Sequence, residues 1–124
     1  MQQAYFSESM KAGGWTLIGY SAPGNGGLTT NFAYGMGSTI GEDATVTLSA
    51  KTFVWTATNV ANLNECTGTS GATGKNTDQT GPWKVSIAQG TGNANQDLIF
   101  DAEIVGFTAA GCKALTPTFG NIGK

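Results

Sequence analysis

Trp83-Lys-Val-Ser-Ile-Ala-Gln89 and Leu98-Ile-Phe-Asp-Ala-Glu-Ile104 are the two stretches on which the fold class turns. In the first, Trp83, Val85 and Ile87 share one parity and Lys84 and Ser86 the other. In the second, Leu98, Phe100, Ala102 and Ile104 oppose Asp101 and Glu103. Successive side chains of a strand point to opposite faces, so this period of two predicts half-buried strands with one apolar and one charged face. Between them, Gln89-Gly-Thr-Gly-Asn-Ala-Asn95 is a run of turn formers. The pair therefore reads as an antiparallel hairpin with a polar tip.

Upstream, the alternation continues and then slips. Val46, Leu48 and Ala50 alternate with Thr45, Thr47, Ser49 and Lys51, after which the apolar positions become Phe53, Trp55 and Ala57. A one-residue slip exchanges faces, so a bulge or a turn is expected near Lys51-Thr52. Phe32, Tyr34 and Met36 lie among Gly35, Gly37 and Gly41, which predicts a short or bulged strand. Trp15 to Tyr20 is apolar and β-prone, and ends in the turn cluster Ser21 to Gly27. Residues 1–12 suit a short helix with Tyr5, Phe6 and Met10 near one side and Gly13-Gly14 as its stop. Residues 59–82 form a long polar loop containing Cys66. Thr108 to Leu115 suits one or two helical turns, capped at Thr108 and closed before Pro117. The fold class expected is mainly β: one domain over residues 1–124, an antiparallel sheet with long loops and one or two short helical turns, and residues 1–14 as helix or tail.

Composition removes several function classes. Gly, Thr, Asn and Ser supply 53 of the 124 residues, there is no histidine, and all six basic residues are lysine. Without imidazole there is no neutral-pH base or histidine metal ligand, and without guanidinium no bidentate anion clamp. No Gly-x-Ser-x-Gly and no phosphate-binding glycine motif occurs. No enzyme activity and no cofactor are expected. The net charge is −2 with no basic stripe, which argues against nucleic acid as a partner. No apolar window is long enough for a membrane span, and the first ten residues lack a signal pattern, so membrane insertion by this chain is not expected.

Cys66 and Cys112 lack any Cys-x-x-Cys spacing. They read as one long-range disulfide, the alternative being two buried thiols; a bridge closing so long a loop contributes about 4 kcal/mol in the chain-entropy account. Asn93, Asn95 and Asp97 have the i, i+2, i+4 spacing of oxygen ligands for calcium, but Leu98 and Ile104 stand where that loop needs Gly and Glu, so no metal site is expected. Glu42-Asp43 would point to opposite faces, and Asp101 and Glu103 share the solvated face, so neither pair suits carboxylate catalysis. Trp15, Trp55 and Trp83, with Tyr20 and Tyr34, are the residues that would stack on sugar rings; Trp55 and Trp83 keep register with apolar neighbours, which favours core packing.

The order of Gly81-Pro-Trp-Lys-Val-Ser-Ile87, the polar turn, Leu98 to Phe107, and Thr108-Ala-Ala-Gly-Cys-Lys-Ala-Leu115 resembles the globular head of a type IV pilin, the type IVb kind in particular. The resemblance covers residues 44–116, the expected pilin-head core. It implies that Cys66 and Cys112 match the disulfide enclosing the D-region of such heads. The N-terminal apolar helix and prepilin-peptidase site of that family are not in this sequence. The resemblance then implies either a head with its helix removed or the globular chain of a split pilin; counting a docked helix would make the class α+β. The implied function is a structural subunit at the cell surface or outside the cell, whose partners are a helical N-terminal pilin chain and neighbouring pilin subunits. The helix needs an exposed apolar groove on the inner face of the sheet. Alternation alone nominates Phe53, Trp55, Val85, Ile87, Phe100 and Ile104 to line it. Other classes that suit the composition are a secreted carbohydrate-binding or adhesive β-sandwich and an all-β phage or viral structural protein.

Overall fold

The computed structural model describes residues 1–9, 11–36, 45–46, 51–69, 81–89, 98–105 and 109–122. Its framework is a four-stranded antiparallel sheet in the order β2 (Phe32–Gly35), β4 (Thr52–Asn59), β5 (Trp83–Gln89), β6 (Leu98–Ile104). The expected pairing of β5 with β6 runs unbroken from Trp83↔Ile104 to Gln89↔Leu98. Directly opposed residues share a face, so Trp83, Val85, Ile87, Leu98, Phe100, Ala102 and Ile104 form an inner face. Lys84, Ser86, Ile99, Asp101 and Glu103 form the outer one. The fold is mainly β, and β2 brings into the sheet a strand that precedes the 44–116 stretch.

Two expectations are corrected. The parity slip is a bulge between Phe53 and Trp55, not at Lys51-Thr52. Thr52 opposes Ile87 but Phe53 opposes Ser86, so Phe53 leaves the inner face while Val54 turns into the core beside Phe6, Ile87 and Leu98. Val54 has no ladder partner, as the extra residue of a bulge does not; its carbonyl instead accepts the Trp15 indole N–H at 3.0 Å. The second correction is Trp15 to Tyr20, which makes a helical turn, α2 (Trp15–Ile18), rather than a strand. Gly19 at φ 76° closes it: its N–H donates to Thr16 O, and the Tyr20 N–H to Trp15 O, the two bonds of a Schellman motif. The left-handed conformation that glycine adopts without a Cβ penalty decided against the β-prone side chains.

The remaining elements cover the ends of the inner face and both sheet edges. The expected N-terminal helix is α1 (Gln2–Ser9), whose Phe6 is fully buried on Val54, Ile87 and Leu98. Gln2 anchors it: Nε2 donates to Gly13 O at 2.7 Å and Oε1 accepts the Gly13 N–H at 3.1 Å. Ala12–Gly13, β1, pairs with Thr45–Val46, β3, in a separate two-stranded ribbon. The rest of the strand expected from Ala44 to Ala50 lies outside the described residues, as do Met10 and Thr108. At the other end, α3 (Ala109–Leu115) is tied to the loop after β4 by the Cys66–Cys112 disulfide, both cysteines fully buried. The Asn25 to Leu28 turn lies along β2, with Tyr34 N–H donating to Gly27 O at 2.7 Å. On β6, Val105 N–H points inward to Pro82 O, so even-numbered amides point outward. The Leu98 N–H is met by Gln3 Oε1 at 3.0 Å, and a 3₁₀ turn, Phe119–Asn121, packs beside the strand at Ala102. Unpaired edges invite pairing with other chains, and here loops and side chains blunt them.

Candidate functional site

Between α1 and the disulfide-bound α3, no element among the described residues covers the inner face. Two adjoining cavities, of about 400 and 770 Å³, form one trough along it. The first has Val54, Trp55, Val85 and Phe100 as its floor, with Trp15, Ile18 and Tyr20 on one side and Phe119 and Ile122 on the other. It begins at Met1 and Gln2, at the N-terminus of α1. The second continues over Ala57, Trp83, Phe32 and Tyr34, walled by Pro23, Leu63 and Leu115. Trp55 and Phe119 belong to both.

The trough is largely aromatic and aliphatic. Ring centroids step from Trp83 to Phe32 (5.6 Å), Phe32 to Tyr34 (6.0 Å), Tyr34 to Trp55 (5.8 Å) and Trp55 to Phe119 (6.2 Å). Among the described residues no Asp, Glu or Lys side chain lines either cavity. The indole donors are used internally, as buried tryptophans require: Trp15 on Val54 O, Trp55 on the Tyr20 hydroxyl at 3.2 Å, and Trp83 on Thr116 Oγ1 at 2.7 Å. Beside the rings and aliphatic side chains, the lining includes the polar residues Gln2, Asn62, Asn64 and Thr116. An apolar surface of this kind contributes about 2.5 kcal/mol for each 100 Å² that a partner covers.

Of the six residues nominated by alternation, Trp55, Val85 and Phe100 line the trough. Ile87 lies beneath α1, fully buried, and Ile104 is buried with Trp83 and the disulfide. Phe53 sits on the outer face. There the ammonium groups of Lys51 and Lys84 lie 5.3 and 5.1 Å from its ring centre, within cation–π range. Sequence alternation missed the trough's side walls. Phe119 and Ile122 follow Pro117 in an aperiodic segment, and Tyr20 follows a helical turn that the β-prone residues concealed.

The outer face is charged around Lys51, Lys84, Asp101 and Glu103, while Ala33, Thr56, Thr58 and Ser86 on the same face are buried. Lys51 Nζ reaches Glu103 at 2.6 Å and Asp101 at 3.7 Å. The hydrogen bond to Glu103 is the largest of the effects that raise the Lys51 pKa above the ordinary lysine value. Asp101 and Glu103 thus share a face, as alternation requires, and face a lysine. Asn93, Asn95, Asp97, Glu42 and Asp43 lie outside the described residues. Among the described residues no group of three His, Cys, Asp or Glu side chains is arranged to hold a metal ion, and no helix is long and apolar enough to cross a membrane. Compared with known proteins, the chain matches no family model, no curated protein and no solved structure.

Proposed function

We propose that the chain is a structural subunit, the globular head of a type IV pilus or pilin-like extracellular filament, and that it works by assembly with a separate helical pilin chain rather than by catalysis. The observation that carries this reading is the largely aromatic trough on the inner sheet face. The same face already takes one helix, α1, through Phe6, and the trough extends that packing surface beyond Met1. An apolar helix about 10 Å across suits a channel walled on both sides. The Gly-, Thr- and Asn-rich composition and the disulfide suit an exported building block. A sugar-binding role has less support, because Trp15 and Trp83 are only 6% and 4% exposed and their ring edges are committed to internal hydrogen bonds.

The test is incorporation into filaments. Val85→Asp places a carboxylate on the half-buried trough floor. In cells producing surface filaments, the unaltered chain is expected in sheared filaments together with a short helical pilin. The Val85→Asp chain is expected to be secreted and folded but absent from them. Filaments that lack the unaltered chain, or that incorporate the aspartate variant equally well, would overturn the proposal.

A further inference from the structure

Asn25-Gly26 is the only Asn-Gly pair in the chain. It opens the tight turn that lies along β2. Asn25 and Leu28 exchange both backbone hydrogen bonds, at 3.0 and 3.2 Å, around Gly26 and Gly27, whose φ values of 64° and 84° are the positive pair of a type I′ turn. Those bonds use the Asn25 N–H and carbonyl. The Asn25 side-chain amide and the Gly26 nitrogen make no hydrogen bond among the described residues, and both residues are exposed. The amide carbon of an asparagine side chain and the next backbone nitrogen close a five-membered ring when that nitrogen sheds its proton and attacks. A free N–H with no β-carbon beside it is the case in which the attack is least hindered.

The other described asparagines lack these conditions. The N–H that follows Asn31 donates to Thr29 Oγ1 at 3.1 Å, and the one after Asn59 to Asn31 O at 2.8 Å. The N–H after Asn62 donates to Cys66 O at 3.0 Å, and the one after Asn121 to Phe119 O at 3.2 Å. Asn64 is followed by Glu65, whose β-carbon crowds the nitrogen. We propose that Asn25 is a self-modification site. The Gly26 nitrogen gives its proton to hydroxide and bonds to Asn25 Cγ; the bond from Cγ to the side-chain nitrogen breaks, and ammonia leaves. Water then opens the succinimide at one carbonyl or the other, giving aspartate or isoaspartate. One water is taken up and one ammonia released, with no oxidant or second protein. Isoaspartate adds a main-chain carbon before Gly26, so the Leu28 N–H and the residue 25 carbonyl lose their register. The same turn sets Leu28 opposite Ala33 and offers Gly27 O to the Tyr34 N–H at 2.7 Å. Its loosening uncovers the outer edge of β2, and an uncovered edge invites pairing with another chain.

The experiment incubates the folded, unaltered chain in mildly alkaline buffer and follows each asparagine-containing peptide by mass spectrometry, with isoaspartate-specific methylation to tell the two products apart. Conversion at Asn25 is expected to run about tenfold faster, or more, than at Asn31, Asn62 or Asn121, because an engaged nucleophile and a neighbouring β-carbon each raise the barrier there. Asn25→Gln, whose ring would need a sixth member, is expected to keep the turn and to show no conversion at that position over the same period. The fraction carrying isoaspartate at position 25 is separated by ion exchange and compared with unconverted chain by amide hydrogen exchange. The Tyr34 amide is expected to exchange about tenfold faster in it, with Val85 and Ile87 in the sheet interior unchanged. Conversion at Asn25 no faster than at Asn31, Asn62 and Asn121 would overturn the site. Conversion that leaves Tyr34 exchange unchanged would overturn the release of the β2 edge.

Discussion

Gly111 lies where α3 passes against the carbonyl of Glu65; a Cβ built there would stand 2.4 Å from that oxygen. Two effects of opposite sign meet at this residue. Alanine is favoured over glycine in a helix interior by about 1 kcal/mol, but here it collides with backbone that the adjacent disulfide holds in place. The collision is the larger effect. Gly111→Ala is expected to destabilise the chain by about 1–3 kcal/mol, measured as a lower urea midpoint; a raised midpoint would mean that α3 can move away from the loop. Lys51 is the opposite case, a contact of small weight. Its ion pairs with Glu103 and Asp101 are largely exposed, so Lys51→Met is expected to cost less than about 1 kcal/mol at neutral pH. Because the folded state raises the Lys51 pKa, that contribution is present below the ordinary lysine value of 10.5 and is lost as the pH rises through the raised value. On raising the pH from neutral, the stability difference between Lys51→Met and the unaltered chain should therefore close only in alkaline solution, and closure near neutral pH would refute the assignment.

At the scale of elements, the disulfide joins α3 to the loop after β4 and so holds the wall of the trough that carries Leu115 against the wall that carries Leu63. Cys66→Ser with Cys112→Ser is expected to lower stability by about 3–4 kcal/mol, most of it through the greater freedom of the unfolded chain. A melting curve unchanged in the presence of reductant would contradict this. The elements that the sequence made legible are those whose period is regular. β5 and β6 alternate over Trp83–Ile87 and Phe100–Ile104, and their pairing and face assignment follow from that, with Ala88, Gln89 and Ile99 as the exceptions. Two local competitions were not legible. At Trp15–Ile18, apolar β-prone residues suggested a strand, yet Gly19 supplied a left-handed cap and the Trp15 indole had a carbonyl to meet across the fold, at Val54. At the end of the apparent even-to-odd slip, the bulge fell at Val54, where a bulky apolar residue was available for the core, rather than at Lys51-Thr52. Phe53 was assigned to the wrong face for that reason alone. The trough residues were half legible: Trp55, Val85 and Phe100 keep the strand period, whereas Tyr20, Phe119 and Ile122 enter from turns that have no period to read.

In the whole molecule, each surface of the sheet has a distinct treatment. The outer face carries Lys51, Lys84, Asp101 and Glu103; the edges of β2 and β6 are covered by the Asn25 to Leu28 turn, by Gln3 and by the Phe119–Asn121 turn. Among the described residues the inner face is closed at both ends and open in the middle, over a row of aromatic rings. On the proposed reading a partner helix covers that row. The most direct measurement is a titration of the isotopically labelled chain with an uncharged-stripe amphipathic helical peptide, followed by amide and indole resonances. The account predicts shift changes at Trp55, Val85, Phe100 and Phe119, including the Trp55 indole N–H, with Lys51, Lys84 and Ile99 on the outer face unmoved. Changes centred on the outer face, or none at any peptide concentration, would contradict it.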